Sequence, residues 1–448
     1  MIALTAGVLF LLYLNVPAVA VRVHGAPFAI AAVVPLLLAI PVGWRILVRG
    51  EALVLPRALL AAVAMLGLHA ISAISSDRPF ESLDTVQAWL LEGVVLAFLI
   101  VNAVRTRAEL HAAVYSILSA GAVMGLVALC QQLPGLGDAT FGGLGQFDSA
   151  VVDSSGRVSP RLAGPIGETN RFAQIMAVLL PLAAGVAMVR RGGLRVLGWL
   201  GVFLIGVGVA FSFSRGAVVA VGLAVPFAVA FRMLRVRHVV LVGLAGVVVI
   251  ASMPQYAERV GTIGRVVVQS IGLDPTGMRN ADGAARGRLT EMKAAGMLFL
   301  DHPVLGAGPG LAPYSYEANA AVVGGKVRSG SRRSHNLYLQ LAAETGLVGL
   351  LAFAFVVALV FRDLDRARRR FETTDRELWA LSCGLALALV ISLVSSLFLH
   401  AAYIRYFWML IGVATAASAQ PGTPALAAFL SRALRETAQR IRRDEARA

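Results

Sequence analysis

The stretch S-R-R-S-H-N-L-Y-L-Q-L-A-A-E-T-G-L-V-G-L-L, Ser331 to Leu351, opens an apolar run that continues to Phe361. A bilayer core needs about 20 consecutive apolar residues from a helix, and this run supplies them. It therefore reads as a membrane span with two arginines and a histidine standing at its mouth. Charged groups in that position need either a reason or a partner.

Working outward, the whole chain has the same character. Of its 448 residues 58% are hydrophobic and 15% charged, and the mean hydropathy is +0.77. Such a composition excludes an ordinary soluble multidomain protein. The formal net charge of +15 suggests nucleic acid only until the charges are placed along the chain. Cys130 and Cys383 lie at or inside apolar runs, and offer neither a disulfide framework nor a metal-ligand pair.

Apolar runs occur at roughly 2–20, 27–43, 58–74, 86–104, 112–130, 172–189, 195–211, 216–234, 239–253, 337–361, 378–399 and 403–419. The expected fold is an all-α polytopic membrane protein of about 12 transmembrane helices. Arginine placement orients it. With the N-terminus in the cytoplasm, the cytoplasmic connections hold Arg45, Arg49 and Arg57; Arg105 and Arg107; Arg190, Arg191 and Arg195; and Arg232, Arg235 and Arg237. Six more arginines run from Arg362 to Arg376 and six from Arg432 to Arg447. The short outer connections hold one each: Arg22, Arg78, Arg215 and Arg405.

The expected organisation is 1–253 as helices one to nine with an outer loop at 131–171, then an extracytoplasmic loop domain at 254–334. Residues 335–419 form helices ten to twelve, and 420–448 an amphipathic cytoplasmic tail. In that tail Leu426, Phe429, Leu430, Leu434 and Ile441 share one helical face and arginines take the other, as in helices that lie on an anionic leaflet. The first span ends in A-V-A, Ala18 to Ala20, which looks like a signal-peptidase site, but no basic segment precedes it. An uncleaved first helix is the expectation.

Four features fall on the outer side. R-L-A-G-P-I-G-E-T-N-R, Arg161 to Arg171, reads as an irregular loop leading into a helix, with Thr169 or Asn170 as N-cap and Asn170 also a candidate ligand. F-S-F-S-R-G-A, Phe211 to Ala217, places Arg215 in a turn too short to leave the bilayer surface, either as a snorkelling side chain or as a functional one. A-R-G-R-L-T-E-M-K-A-A-G-M-L-F-L-D-H-P, Ala285 to Pro303, reads as an amphipathic helix with Leu289, Met292, Gly296, Phe299 and Leu300 on its apolar face. Arg286 and Arg288 stand at its start, where a helix dipole disfavours them. The following G-A-G-P-G succeeds no strand, so it is a weak phosphate loop. The fourth feature is the opening stretch, with Arg332, Arg333, His335 and Asn336 at the mouth and Glu344 deeper.

Arginines gather around oxyanions, and a lipid-linked pyrophosphate is an oxyanion tethered to the membrane. Departure of a pyrophosphate needs charge stabilisation, which arginines supply. An attacking hydroxyl needs a base, and His335 is the candidate. No D-x-D-like acidic pair stands beside the cluster, so neither a metal site nor another cofactor is expected. Without an evident nucleophile-acid pair, a single displacement with inversion at the sugar carbon is the expected course.

S-H-N-L-Y-L-Q-L-A-A-E-T-G-L-V-G-L-L and R-L-T-E-M-K-A-A-G-M-L-F-L-D-H-P-V-L-G-A-G-P-G resemble signatures of the O-antigen ligase and polymerase superfamily. F-S-F-S-R-G-A and R-L-A-G-P-I-G-E-T-N fit the same family in the same order, so the resemblance covers roughly the second two-thirds of the chain. It implies a multi-spanning GT-C-type glycosyltransferase of the inner membrane. Such an enzyme moves a glycan from undecaprenyl pyrophosphate to an acceptor on the periplasmic or extracytoplasmic side. It also implies His335 as the essential histidine and Arg161, Arg215 and Arg288 as pyrophosphate ligands. Asn170, Arg171, Arg286, Arg332, Arg333, Asn336, Tyr338 and Glu344 complete the set as supporting candidates. Met292 stands where many members carry Trp.

The acceptor is left open among lipid A–core, a second repeat unit and a protein hydroxyl, with the ligase reaction ranked first. The reading from another class is a transporter or flippase. It expects polar groups near the midplane, on broken helices, with an inverted repeat. Here the charges sit at one rim and the sequence shows no repeat.

Overall fold

The computed structural model describes residues 1–152, 158–237, 239–240, 243–244, 246, 283–323, 332–399 and 405–420. The chain is mostly helical. Among the described residues, eight helices are long and apolar enough to cross a membrane. These are Ala29–Leu47, Arg57–Ile74, Pro79–Ala103, Arg107–Cys130, Thr169–Val189, Gly192–Phe211, Leu337–Thr374 and Arg376–Ser395. Ile2–Tyr13 and Val16–His24 form one further apolar pair, bent by 48°. Arg215–Ala230 is a shorter apolar helix, and Arg405–Ser418 occupies the position of the last expected span. Most of the ninth expected span, 239–253, lies outside the described residues, as do residues 421–448 of the amphipathic tail.

Arg376–Ser395 is the most interior of these spans. It packs on Thr169–Val189, which packs in turn on Gly192–Phe211. Leu9, Leu12, Phe172, Met176, Leu179, Ile205, Leu385, Leu389 and Met409 fill the resulting core with little or no exposure. The first helix belongs to that core, and the Tyr13 hydroxyl donates to the Ile175 carbonyl at 3.0 Å.

Polar contacts segregate to two ends of the bundle. At one end, buried Arg45 pairs with Glu109 and with Glu51. Arg107 meets Asp375 and Glu377 at that end too, and Arg190 reaches Glu377 at 2.8 Å. At the other end, the Arg22 guanidinium donates to the carbonyls of Pro165 and Ile166. There Ser72 donates to Leu305, and Ser82 to Pro309. Connections assigned to one side by arginine counting thus touch one another, and those assigned to the other side do the same.

Three local expectations need correction. The stretch from Arg161, expected as an irregular loop, begins in a strand: within the mostly helical fold, Gln146–Val152 and Val158–Gly164 form an antiparallel hairpin. Its register is broken between Phe147 and Ser149, a bulge at Asp148. The Asp148 carboxylate accepts from the Thr169 amide at 3.3 Å, so a carboxylate from the hairpin serves the helix N-terminus. Glu168 occupies the N-cap position without a side-chain cap bond, so neither Thr169 nor Asn170 is the cap.

The second correction concerns Gly283–Asp301. Its buried residues are Gly287, Thr290, Glu291, Ala294, Ala295 and Leu298, whereas Leu300 is 75% exposed. The expected face of larger residues yields to a face of small ones because Ala294 packs with Tyr316 and Ala320, and Ala295 with Ala312 and Ala343. Small side chains allow that close approach. Glu291 is carried inward with them.

The third is a break inside Leu337–Thr374. Gly346 adopts φ 65°, ψ −169°, which interrupts the helix. Residues 303–308 lie along the exposed backbone: Ala307 and Gly308 donate to the carbonyls of Ala343 and Glu344, while Leu347 donates to Pro303. A Cβ on Gly346 would stand 2.1 Å from the Val304 carbonyl oxygen, and one on Gly306 2.3 Å from the Glu344 carbonyl carbon. The glycine-rich segment is therefore a docking strip for a broken helix, and it ties residues 283–323 to the bundle.

Candidate active site

Two polar clusters form at the end of the bundle where Arg22 and Ser72 lie. The first is built on Arg161, which strand pairing sets opposite Ser149. Arg161 is 7% exposed. Its Nη1 donates to Ser149 Oγ at 3.3 Å, its Nη2 to Asn170 Oδ1 at 3.1 Å and its Nε to the Ser212 carbonyl at 3.1 Å. Asn170 Oδ1 also accepts from Ser214 Oγ at 3.3 Å. One guanidinium thus ties the hairpin and the start of Thr169–Val189 to the Ser212–Ser214 turn.

That turn carries Phe213 at φ 52°, buried and left-handed, a conformation costly for a bulky side chain. Ser212 Oγ accepts from the Ser214 amide at 3.2 Å, which helps hold the turn. Arg215 follows as the first residue of its helix, half-buried. The strain is maintained by the bonds around it, and its consequence is a fixed direction for the start of that helix.

The second cluster centres on Glu291, whose side chain is 1% exposed. Its Oε2 lies 2.7 Å from His335 Nδ1, and its Oε1 lies 3.9 Å from Arg332 Nη1. A carboxylate buried this far from water requires such partners. The imidazole is 28% exposed. When Nδ1 carries the proton donated to Glu291, the lone pair is on Nε2. Arg288 lies one turn before Glu291 on the same helix and is half-buried.

A short hydrogen-bonded chain joins the clusters. Gln174, one turn beyond Asn170, donates from Nε2 to the Ser392 carbonyl at 3.1 Å and to Ser396 Oγ at 3.3 Å. The Ser396 carbonyl accepts from the Leu337 amide at 2.9 Å, two residues beyond His335. The helix that presents Asn170 and the segment that presents His335 are therefore held on the same support.

The supporting candidates divide. Asn336 is the N-cap of Leu337–Thr374, accepting from the amides of Tyr338 and Leu339, and the Tyr338 hydroxyl donates to the Leu393 carbonyl. Both are structural in these contacts. Glu344 is fully buried and accepts from Gln340 Nε2 at 3.2 Å, with the amides of Gly310 and Ala312 beside its carboxyl, so it clamps the docking strip. Arg171 pairs with Glu168 at 3.1 Å. Arg333 is exposed, and its charge acts on Glu344. Arg286 belongs to the same helix as Arg288, and its side chain lies outside the described residues. Sequence reasoning missed Glu291 altogether. The available signal was its i, i+3 spacing from Arg288, followed by small residues at 294 and 295.

A family model described as O-antigen ligase matches residues 200–354. The match contains Arg215, Arg288, Glu291 and His335, and ends beyond the break at Gly346. No curated protein matches the chain.

Proposed function

We propose that this membrane protein transfers a glycan from undecaprenyl pyrophosphate to an acceptor hydroxyl, on lipid A–core or a similar acceptor, a reading supported by the match of residues 200–354 to the O-antigen ligase family model. The carrying observation is the contact between His335 and buried Glu291, whose other oxygen lies 3.9 Å from Arg332. In this reading the chain crosses the inner membrane twelve times with both termini in the cytoplasm, and residues 254–334 form the extracytoplasmic domain. The separation of polar contacts to two ends of the bundle supports the alternation of the connections between two sides.

The chemistry follows from the side chains. Glu291 accepts the Nδ1 proton and holds the ring in one tautomer, so that Nε2 takes the proton of the acceptor hydroxyl. The hydroxyl oxygen bonds to the anomeric carbon from the face opposite the pyrophosphate. The bond from that carbon to the phosphate oxygen breaks, and its electron pair leaves with the pyrophosphate. Arg215 and Arg288 stabilise the developing charge. Arg161 adds its charge while its N–H groups fix the turn before Arg215. Inversion is the stereochemical result, and the arginines carry the charge stabilisation that a metal supplies in other transferases.

Deletion of the gene tests the reading through the glycan that accumulates. Loss of a ligase leaves long chains on the carrier lipid, loss of a polymerase leaves single repeats, and loss of a transporter traps substrate inside. Long chains on the carrier support the proposal as stated, and trapped substrate refutes it.

A further inference from the structure

Leu337–Thr374 supplies a depth scale for the segment that docks on it. Its apolar run ends at Phe361, and Arg362 is the first charge beyond. Glu344 stands 18 residues before Arg362, about 27 Å along a helix. Ser72 stands 15 residues beyond Arg57 in the span Arg57–Ile74, about 22 Å by the same measure. The hydrocarbon core of a bilayer is about 30 Å thick, and tilting a span only lowers such heights. Both positions therefore fall inside the core, near its edge on the His335 side.

Residues 303–308 are bonded to both positions. The amides of Ala307 and Gly308 donate to the Ala343 and Glu344 carbonyls at 2.9 Å each. Leu347 and Val348 donate to the carbonyls of Pro303 and Val304 at 2.9 and 3.3 Å, and the Ser72 hydroxyl donates to that of Leu305. Non-helical backbone persists at membrane depth only where protein supplies its partners, and the docked segment supplies them for the break at Gly346. Large apolar side chains are exposed here: Leu300 and Val304 on the docked side, Leu347, Leu351 and Phe355 on the span. The backbone bonds set Val304 beside Leu347, so the exposed apolar surface runs from the span onto the segment.

We propose that residues 300–305 are a re-entrant segment, with Leu300 and Val304 among the acyl chains of the leaflet on the His335 side and Asp301 and His302 at its headgroups. Depth and continuity select lipid as the occupant. Leu351 and Phe355 belong to a membrane span, and the same apolar surface extends to Val304. Asp301 and His302 are exposed between the two apolar residues, which fits the polar boundary of the bilayer better than its centre. The placement rests on Leu337–Thr374 crossing the membrane and not on the transfer reaction. Its consequence reaches Glu291, nine residues before Leu300 on Gly283–Asp301, about 13 Å along the helix. Lipid contact holds the far end of the helix that presents this carboxylate to His335.

Spin labelling of the full-length protein in vesicles of phosphatidylethanolamine and phosphatidylglycerol tests the placement, with Cys130→Ala removing the partly exposed native thiol. Labels enter one at a time through Leu300→Cys, Val304→Cys, Leu351→Cys as the span reference and Glu317→Cys, exposed on Tyr316–Val322, as the aqueous one. Oxygen, which concentrates in hydrocarbon, should relax the labels at 300, 304 and 351 more than a water-soluble nickel chelate does. The order should reverse at 317. Nickel preference at 300 and 304 with oxygen preference at 351 overturns the proposal, and nickel preference at all three overturns the membrane reading of the span with it. A second measurement needs no substitution: phosphatidylcholine with a diazirine on its acyl chain, photolysed in vesicles of the unaltered protein, should label residues 300–305. Label on residues 347–355 without label on 300–305 likewise overturns the proposal.

Discussion

His335 Nδ1 and Glu291 Oε2 stand 2.7 Å apart although 44 residues separate them in the chain. A helix with a small-residue face carries one partner, and the mouth of a broken membrane helix carries the other. The pairing makes Glu291 a positioning residue in the proposed reaction: it touches the imidazole and acts through it.

Glu291→Gln should retain the shape of the site and lose the acceptor that fixes the tautomer. We expect the transfer rate to fall by about 10²- to 10⁴-fold with donor KM little changed, by analogy with other carboxylate–histidine pairs. Glu291→Asp should recover part of the rate. A uniform loss of folded protein in all variants, with normal specific activity in what remains, would instead make the contact merely structural.

Arg161→Lys keeps the charge and loses the planar fork that reaches Ser149, Asn170 and Ser212 together. Stability should fall by about 1–3 kcal/mol, the usual penalty for unmade buried hydrogen bonds, and transfer should fall with it. Thermal unfolding in detergent alongside a rate measurement checks both. Full activity in the lysine variant would remove the guanidinium geometry from the account.

Much of the fold was legible because bilayer spans are written as long apolar runs, and the arginine bias separates connections that the structure brings together in two groups. The mouth at His335 was legible for a related reason, since charge beside a span stands out. Glu291 was hidden because helical periodicity favoured the larger residues Leu289, Met292 and Leu300, whereas packing chose Ala294 and Ala295. The contact of Arg22 with Pro165 and Ile166 spans over 140 residues, and no local pattern announces it. The break at Gly346 depends on a partner strip more than 30 residues upstream, so sequence offered the glycine without its reason.

Gly346→Ala places a methyl group 2.1 Å from the Val304 carbonyl oxygen and forces an alanine to φ 65°. The two effects together should cost about 1–3 kcal/mol or more and loosen the docking strip. Limited proteolysis near residues 303–312 should accelerate in the variant. Cleavage at the unaltered rate would show that the strip holds without this contact.

Glu51 lies between the spans Ala29–Leu47 and Arg57–Ile74. Burial works against its charge, but the hydrogen bond from Arg45 and the charges of Arg45, Arg105 and Arg49 prevail and hold its carboxyl below the ordinary value. A depressed folded-state pKa contributes stability above the unfolded value, and that stability is lost as pH falls through the folded one. Glu51→Gln should therefore destabilise the protein at pH 7 by no more than about 1 kcal/mol, given its partial exposure, and have no effect once the carboxyl is protonated. Unfolding midpoints across an acid titration of both proteins measure this.

The central claim is that His335 is the base of a transfer reaction from a pyrophosphate-linked lipid. Release of undecaprenyl pyrophosphate from a defined glycan donor, in proteoliposomes with acceptor present, tests it directly for the unaltered protein and for His335→Ala. The account predicts steady release by the former, unaffected by EDTA, and a fall of at least about 10²-fold in the correctly inserted variant. Release at a comparable rate by both proteins would contradict it.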